Sequence, residues 1–269
     1  MKFRIRGSAV FRQTVSDIKK YMHYSVKAAR FQLKNEVASS FLNWVWWILD
    51  PLCFMMIYTI VFGYIFKSSE LYFPVFIFIG ITLWDFFKRT LASAVRVVKA
   101  SKPTISRVYL PKYILIFVNM WTNAFKMAIS FAIIAAMMVV WWVPISWNLL
   151  WLPLILAVMM VVTFGFSCFL LHYGVYVDDL TNVVDIALRA MFYVTGIFYS
   201  IETRLASYGA ILVRVNPMSC IITAARDVLL YGQVPDLPAL GVWFAIGMIL
   251  SLLGIRKIYK EENSYVKVI

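Results

Sequence analysis

MAISFAIIAAMMVVWWVPISWNLLWLPLILAVMMVVTFGFSCFLLHYGVYV, residues 127–177, contains no Asp, Glu, Lys or Arg. One membrane crossing takes roughly 20 apolar residues, because lipid offers no partner to backbone N–H and C=O groups and a helix satisfies them internally. The run exceeds two such lengths. It reads as two helices joined by a tight turn at Trp141-Trp142-Val143-Pro144-Ile145-Ser146-Trp147, where the tryptophans also supply an interfacial aromatic belt. The chain is therefore expected to be an all-α integral membrane protein.

Composition agrees, since 62% apolar, 17% aromatic and only 14% charged residues lie far from a soluble-domain mixture. Working outward from 127–177, the apolar segments are Asn43–Phe66, Tyr72 to about Val98, Tyr113–Trp142, Leu149–Val177, Val183–Ile201 and Leu237–Ile255, which predicts six spans. Residues 1–42 then form a cytoplasmic N-terminus, 43–257 a single transmembrane domain and 258–269 a cytoplasmic tail.

Orientation follows from the 26 basic residues, because Lys and Arg in short loops stay cytoplasmic. Nine precede residue 43, seven fall between Lys88 and Lys112, and four follow residue 255. The 143–148 turn carries none and the 67–71 turn one. Both termini are thus expected in the cytoplasm. The loop between spans four and five runs against this, with Asp178, Asp179 and Asp185 outnumbering Arg189. The net charge of +13 sits mostly beside the spans, which favours anionic lipid over nucleic acid as its partner. The first forty residues lack the short apolar core of a cleavable signal, so the first span is expected to direct insertion.

Val15, Ile18, Met22, Val26, Ala29, Leu33 and Val37 recur at helical spacing opposite Lys19, Lys20, Lys27, Arg30 and Lys34. This pattern predicts an amphipathic helix on the membrane surface, with packing against cytoplasmic protein as the alternative.

Chemistry-bearing motifs are absent. There is no G-x-x-x-x-G-K-[ST] phosphate loop, no His-Glu-x-x-His and no Cys-x-x-Cys. His23 and His172 lie far apart, and Cys53, Cys168 and Cys220 are expected to be packing residues. No metal site and no catalytic residue are expected, so driving energy must come from an ion gradient or a separate ATPase. Ion-coupled carriers place titratable groups near the bilayer midplane. Here Asp85 precedes Lys88 and Arg89 at i+3 and i+4, and Asp50 sits beside Pro51, which reads as interfacial pairing. Lys126 lies deeper, within the third span. It is assigned to snorkelling, to pairing with a carboxylate such as Asp50 or Asp85, or to a functional role.

The connection Lys99-Ala-Ser-Lys-Pro-Thr-Ile-Ser-Arg-Val-Tyr-Leu-Pro-Lys112 predicts a short helix between Pro103 and Pro111, with Ile105, Val108 and Tyr109 on one side, suited to a partner's groove. The segment from Glu202 to Asp236 is too polar to span again, yet Ile211-Leu-Val and Val228-Leu-Leu are apolar. It predicts two short re-entrant or interfacial extracellular helices broken at Asn216-Pro217.

The order of these features resembles a known family. A basic amphipathic helix, Leu42-Asn-Trp-Val-Trp-Trp-Ile-Leu-Asp-Pro51, Phe73-Pro-Val-Phe-Ile-Phe-Ile-Gly80, Arg107-Val-Tyr-Leu-Pro111, and Asn216-Pro217 with Arg226-Asp227 and Tyr231-Gly232 resemble the ABC-2 type permeases that export capsule, O-antigen and teichoic acid. The likeness covers nearly the whole chain. It implies a homodimer in the bacterial cytoplasmic membrane, a separate nucleotide-binding subunit that carries Mg-ATP, and a lipid-linked glycan as substrate.

By position, the resemblance makes 99–112 the coupling element on the ATPase, with Ile105, Arg107, Val108, Tyr109 and Pro111 at the contact. It also implies that spans one and five line the exit path. Span one offers Trp44, Trp47, Met55, Tyr58, Phe62 and Phe66 near one face; span five offers Arg189, Phe192, Tyr193, Gly196 and Tyr199. Flat rings suit the apolar faces of sugars, and packing against neighbouring helices or lipid is the other use of such rings. Arg204, Arg214 and Arg226 match lipid pyrophosphate by their guanidinium forks, or else pair with Glu202, Asp227 or headgroups. The expected function is a transport subunit of an ATP-driven polysaccharide exporter. Drug, antibiotic or lipid efflux by a related ABC-2 permease is the alternative. A membrane-embedded glycan-modifying enzyme or ion-coupled carrier is disfavoured by the scarcity of acidic and His residues in the apolar segments.

Overall fold

The computed structural model describes residues 7–38, 42–65, 70–105, 109–204 and 208–268, which fold as helices and turns. In order these are α1 Gly7–Ala38, α2 Asn43–Tyr58, α3 Phe73–Ala100, α4 Lys102–Ile105, α5 Ile114–Val140, α6 Leu152–Tyr176, α7 Leu180–Val194, α8 Ile201–Arg204, α9 Gly209–Val215, α10 Pro217–Arg226 and α11 Leu237–Val268. π-helical turns extend α2 over Thr59–Ile65 and α10 over Asp227–Tyr231, and a 3-10 turn at Trp147–Trp151 leads into α6.

The 127–177 run is a helical hairpin, as its sequence requires. α5 stops at Val140, Pro144 lies in the turn, and Ser146 Oγ accepts the Asn148 N–H to start the next helical segment. Four helical stretches among the described residues are long and apolar enough to cross a membrane: Trp44–Ile65, Ile114–Val140, Trp147–Tyr176 and Leu237–Glu262. The chain is a multi-pass, all-helical membrane protein.

The other two expected spans differ from these four. Every 18-residue stretch of α3 contains Asp85, Lys88 and Arg89. The span expected over Val183–Ile201 is a helix of 15 residues that stops at Val194. At about 1.5 Å per residue it reaches about 22 Å, short of the ~30 Å hydrocarbon core. The stop is Gly196, whose φ of 74° places it in the left-handed region just past the helix end, while the Thr195 N–H returns to Met191 O at 2.9 Å. Gly196 is thus a helix terminator and not a member of an aromatic helix face.

α3 is the centre of the bundle. Ile77, Phe78, Ile79, Leu83 and Ala94 are fully buried, and α2, α5, α6, α7 and α10 surround it. A helix that is apolar around most of its circumference needs such all-round cover. α6 and α11 form the most extensive helix pair. Small residues let their backbones meet: a Cβ on Gly254 would lie 2.4 Å from Cys168 Cβ, and one on Gly165 would lie 2.9 Å from Gly247 O. α3 and α6 cross as closely at Gly174, where a Cβ would stand 2.1 Å from Val95 O.

α11 runs unbroken past residue 257, so residues 258–268 continue the last helix, with no Gly or Pro there to end it. The amphipathic N-terminal helix is present as α1, and it packs on α5 with Ser25 and Ala29 buried.

Candidate functional site

Residues expected to share a path come together around one residue that was not expected. Phe198, buried in the turn after α7, has its ring 4.6 Å from Tyr58, 4.5 Å from Phe62, 5.1 Å from Phe192 and 6.2 Å from Tyr193, centroid to centroid. Tyr199 Oη donates to Tyr193 O at 3.1 Å, and Trp84 of α3 reaches Phe192 at 5.8 Å. Edge and offset contacts of this kind contribute about 0.5–1.5 kcal/mol each beyond burial. Trp44 and Trp47 stand outside the cluster: Trp44 is exposed, and Trp47 packs edge-on against Phe125 at 6.2 Å. Phe66 lies outside the described residues.

Charge collects beside these rings. Arg89 Nη2 is shared by Asp50 Oδ2 of α2 at 3.3 Å and Asp85 Oδ2 of α3 at 3.4 Å. The i,i+4 pair was legible in the sequence; the bond across to Asp50 was not. Arg89 divides two cavities. One, of about 310 Å³, is bounded by Tyr58, Trp84, Phe192 and Tyr193 with Lys88 and Arg189. The other, of about 230 Å³, is bounded by Trp46, Trp47, Asn123 and Lys126. Aromatic faces beside paired charges can hold a flat, hydroxyl-rich ligand through stacking and charge-assisted hydrogen bonds.

Lys126 pairs with neither Asp50 nor Asp85. Its Nζ donates to Glu36 Oε2 of α1 at 2.6 Å and lies 5.3 Å from the Trp47 ring centre, and nearby Thr122 Oγ1 donates to Gln32 Oε1 at 3.4 Å. The pair joins α1 to α5, which points to a holding role. Lys126→Met is expected to raise the rate of limited proteolysis within α1 by about fivefold, matching roughly 1 kcal/mol for a partly buried pair, with Lys126→Arg near wild type. Equal cleavage of the wild-type and Met proteins would remove this role.

The 99–112 segment is tied at both ends. Lys99 contacts Asp178 in the α6–α7 loop; its hydrogen bond and charge hold the Asp178 carboxyl below its ordinary value. Of the helix expected between Pro103 and Pro111 there is a single turn, α4 at Lys102–Ile105, with residues 109–111 non-helical and Ile105 half-buried against the core. Arg107 and Val108 lie outside the described residues. Tyr109 is an exposed ring whose Oη donates to Glu262 Oε2 of α11 at 3.3 Å. Partial burial and the adjacent Glu262 charge push its phenol up to about 12, so it remains a donor at neutral pH. Pro111 is buried and its carbonyl accepts the first N–H of α5. Lys112 Nζ stands 3.4 Å from Glu262 Oε1.

On the opposite end, Asn216 caps α10 by accepting from the Met218 and Ser219 N–H groups, with Pro217 at the first helical position. Of the three arginines assigned to phosphate, Arg204 is exposed, and Arg214 Nε pairs with Asp236 Oδ2 at 2.9 Å. Arg226 requires a correction. It is 4% exposed, with Nη1 on Gly196 O at 2.8 Å, Nη2 on Ile197 O at 2.8 Å, and Nε and Nη2 on Phe76 O at 3.2 and 3.1 Å. Its fork binds protein carbonyls and so fixes the turn that carries Phe198. The segments at this end lock together through Asn148 Nδ2 on Gly232 O at 2.6 Å and Glu70, which accepts from the Ser200 N–H and Tyr231 Oη.

No family model matches the sequence. The chain is similar to the O-antigen export system permease protein RfbA of Myxococcus xanthus, 21% identical over 237 residues, covering 88% of this chain and 91% of the relative. Two proteins of the same description from Klebsiella pneumoniae are 23% identical over 238 residues with equal coverage. The resemblance to polysaccharide-export permeases read from the sequence is borne out by these matches.

Proposed function

We propose that this chain is the membrane-spanning permease subunit of an ATP-driven exporter that carries a lipid-linked cell-surface polysaccharide or teichoic acid across the bacterial cytoplasmic membrane. The observation that carries the reading is similarity to O-antigen export permeases over 88% of the chain. The aromatic cluster beside a charged cavity supports it.

In this proposal α2, α3, α5, α6 and α11 are spans, α7 with the turn that follows it makes the sixth crossing, both termini are cytoplasmic, and Glu202–Asp236 forms the interfacial or re-entrant outer helices. The 99–112 segment rides on a separate ATPase subunit that carries Mg-ATP, and a second copy of the chain completes the path. ATP-driven closure of the partner subunits moves the 99–112 segment, and α2 and α7 part or close around the polymer. Tyr58, Phe192, Tyr193 and Tyr199 offer ring faces and exchangeable hydroxyl bonds, so a sugar chain meets several weak sites in place of one tight one. Arg204 and Arg214 remain as outer contacts for the lipid phosphate.

Depleting the chain in its native cell and quantifying lipid-linked glycan by extraction and mass spectrometry tests the proposal. Glycan is expected to accumulate in the inner membrane and to fall at the surface. Unchanged pools would sink the polysaccharide reading and leave drug, antibiotic or lipid efflux.

A further inference from the structure

We infer that the buried Lys112–Glu262 ion pair, with Tyr109 as its third member, is the joint through which movement of the 99–112 segment reaches the membrane helices. Both charged residues are positioning residues that act through α11 and do not touch the substrate. This inference rests on the export reading above.

Lys112 closes the segment and Glu262 lies near the far end of α11. Their side chains are 4% and 9% exposed, and a charge so placed is retained only when matched by its opposite. The match is loose. Lys112 Nζ donates to Leu110 O at 3.2 Å and stands 3.4 Å from Glu262 Oε1, a long ion-pair contact. Glu262 Oε2 accepts from Tyr109 Oη at 3.3 Å, also at the long limit. A structural ion pair in a dry site is ordinarily held at closer range, because poorly matched charge is costly there. An open pair gains from a small shift of the segment toward α11, which suits a part that moves.

Its neighbours show where such a shift goes. Tyr259, Glu262 and Tyr265 recur every three residues and share one face of α11. Tyr259 shares a 3.0 Å hydrogen bond with Tyr113 at the start of α5 and contacts Asp17 of α1. Tyr265 shares a 2.7 Å hydrogen bond with His172 Nδ1 of α6. α11 in turn approaches the α6 backbone at Gly247 and the Cys168 side chain of α6 at Gly254. Residues 109–113 are therefore fastened to the closely packed α6–α11 pair, and displacement at 99–112 passes into that pair.

The test uses the chain with its co-purified ATPase in proteoliposomes, with glycan lipid extracted from the depleted native cells as probe, and reads ATP hydrolysis and glycan movement together. Glu262→Gln and Lys112→Met are expected to leave hydrolysis near wild type while glycan moved per ATP falls about tenfold, and the exchanged pair Lys112→Glu with Glu262→Lys restores it. The double variant Lys112→Met with Glu262→Leu removes both charges together. It leaves no unpaired buried charge and serves where a single variant fails to accumulate. Wild-type movement per ATP in that double variant overturns the inference and leaves the export reading standing. A wild-type chain that isolates without an ATPase, or moves no glycan, overturns the export reading and the inference with it.

Discussion

Arg226→Leu is expected to lower the unfolding temperature of the detergent-solubilised protein by about 10 °C, on the order of 3–5 kcal/mol. The guanidinium satisfies the Phe76, Gly196 and Ile197 carbonyls from within the protein, and its centre lies 3.4 Å from the Phe76 ring centre. Leucine fills much of the volume and donates nothing, so three buried acceptors lose their partner at about 1–3 kcal/mol each, partly recovered by relaxation. Arg226→Lys recovers only part, because an ammonium has no planar fork to span carbonyls on two segments. Arg214→Leu is the control: its pair with Asp236 is solvent-exposed, and the loss is under about 1 kcal/mol. Equal shifts for Arg226→Leu and Arg214→Leu would show that the buried fork is not a staple.

Gly174→Ala is expected to cost about 2 kcal/mol or more, and Gly174→Leu to leave little folded protein on size-exclusion chromatography of the solubilised chain. Two effects oppose each other. Alanine is the better helix former by about 1 kcal/mol. Against that, the new Cβ would stand 2.1 Å from Val95 O and 2.9 Å from Val95 C, which are backbone atoms of the central helix and cannot rotate aside. Sterics win. Gly241, on α11 with open space where a Cβ would go, provides the comparison: Gly241→Ala is expected to be neutral or to stabilise by up to about 1 kcal/mol. A Gly174→Ala protein as stable as Gly241→Ala would contradict the close α3–α6 crossing.

What the sequence disclosed divides along physical lines. Hydropathy and helix-breaking residues act locally, so the 127–177 hairpin, the turn at Pro144, the break at Asn216-Pro217 and the i,i+4 bond of Arg89 to Asp85 were all legible. Tyr58 and Phe62 on α2 and Phe192 and Tyr193 on α7 were legible because they recur along helices, and the resemblance placed them on one path; Tyr199 was included although it lies past the end of α7. Phe198 was missed because it was read as continuing a helix that Gly196 ends, although a glycine at a helix C-terminus is itself a local signal. Arg226 was misread for a different reason. An arginine in a polar external segment looks free until the carbonyls of Phe76, Gly196 and Ile197 are seen to converge on it, and backbone acceptors leave no mark in a sequence. Lys126–Glu36 and Lys112–Glu262 join residues 90 and 150 positions apart, beyond any periodicity.

On the proposed topology, the central helix bears on how the chain is made. α3 carries Asp85, Lys88 and Arg89 in its middle, and each charge at mid-membrane costs about 2.5–3.5 kcal/mol at the insertion step, enough to offset much of the gain from its apolar turns. Left alone at the translocon, α3 is a poor candidate for release into lipid. Arg89 bonded to Asp50 binds it to α2, the preceding and strongly apolar helix. Biogenesis should therefore proceed with α2 held back until α3 has been synthesised, the two leaving the insertion site as a neutralised hairpin around which the later helices assemble.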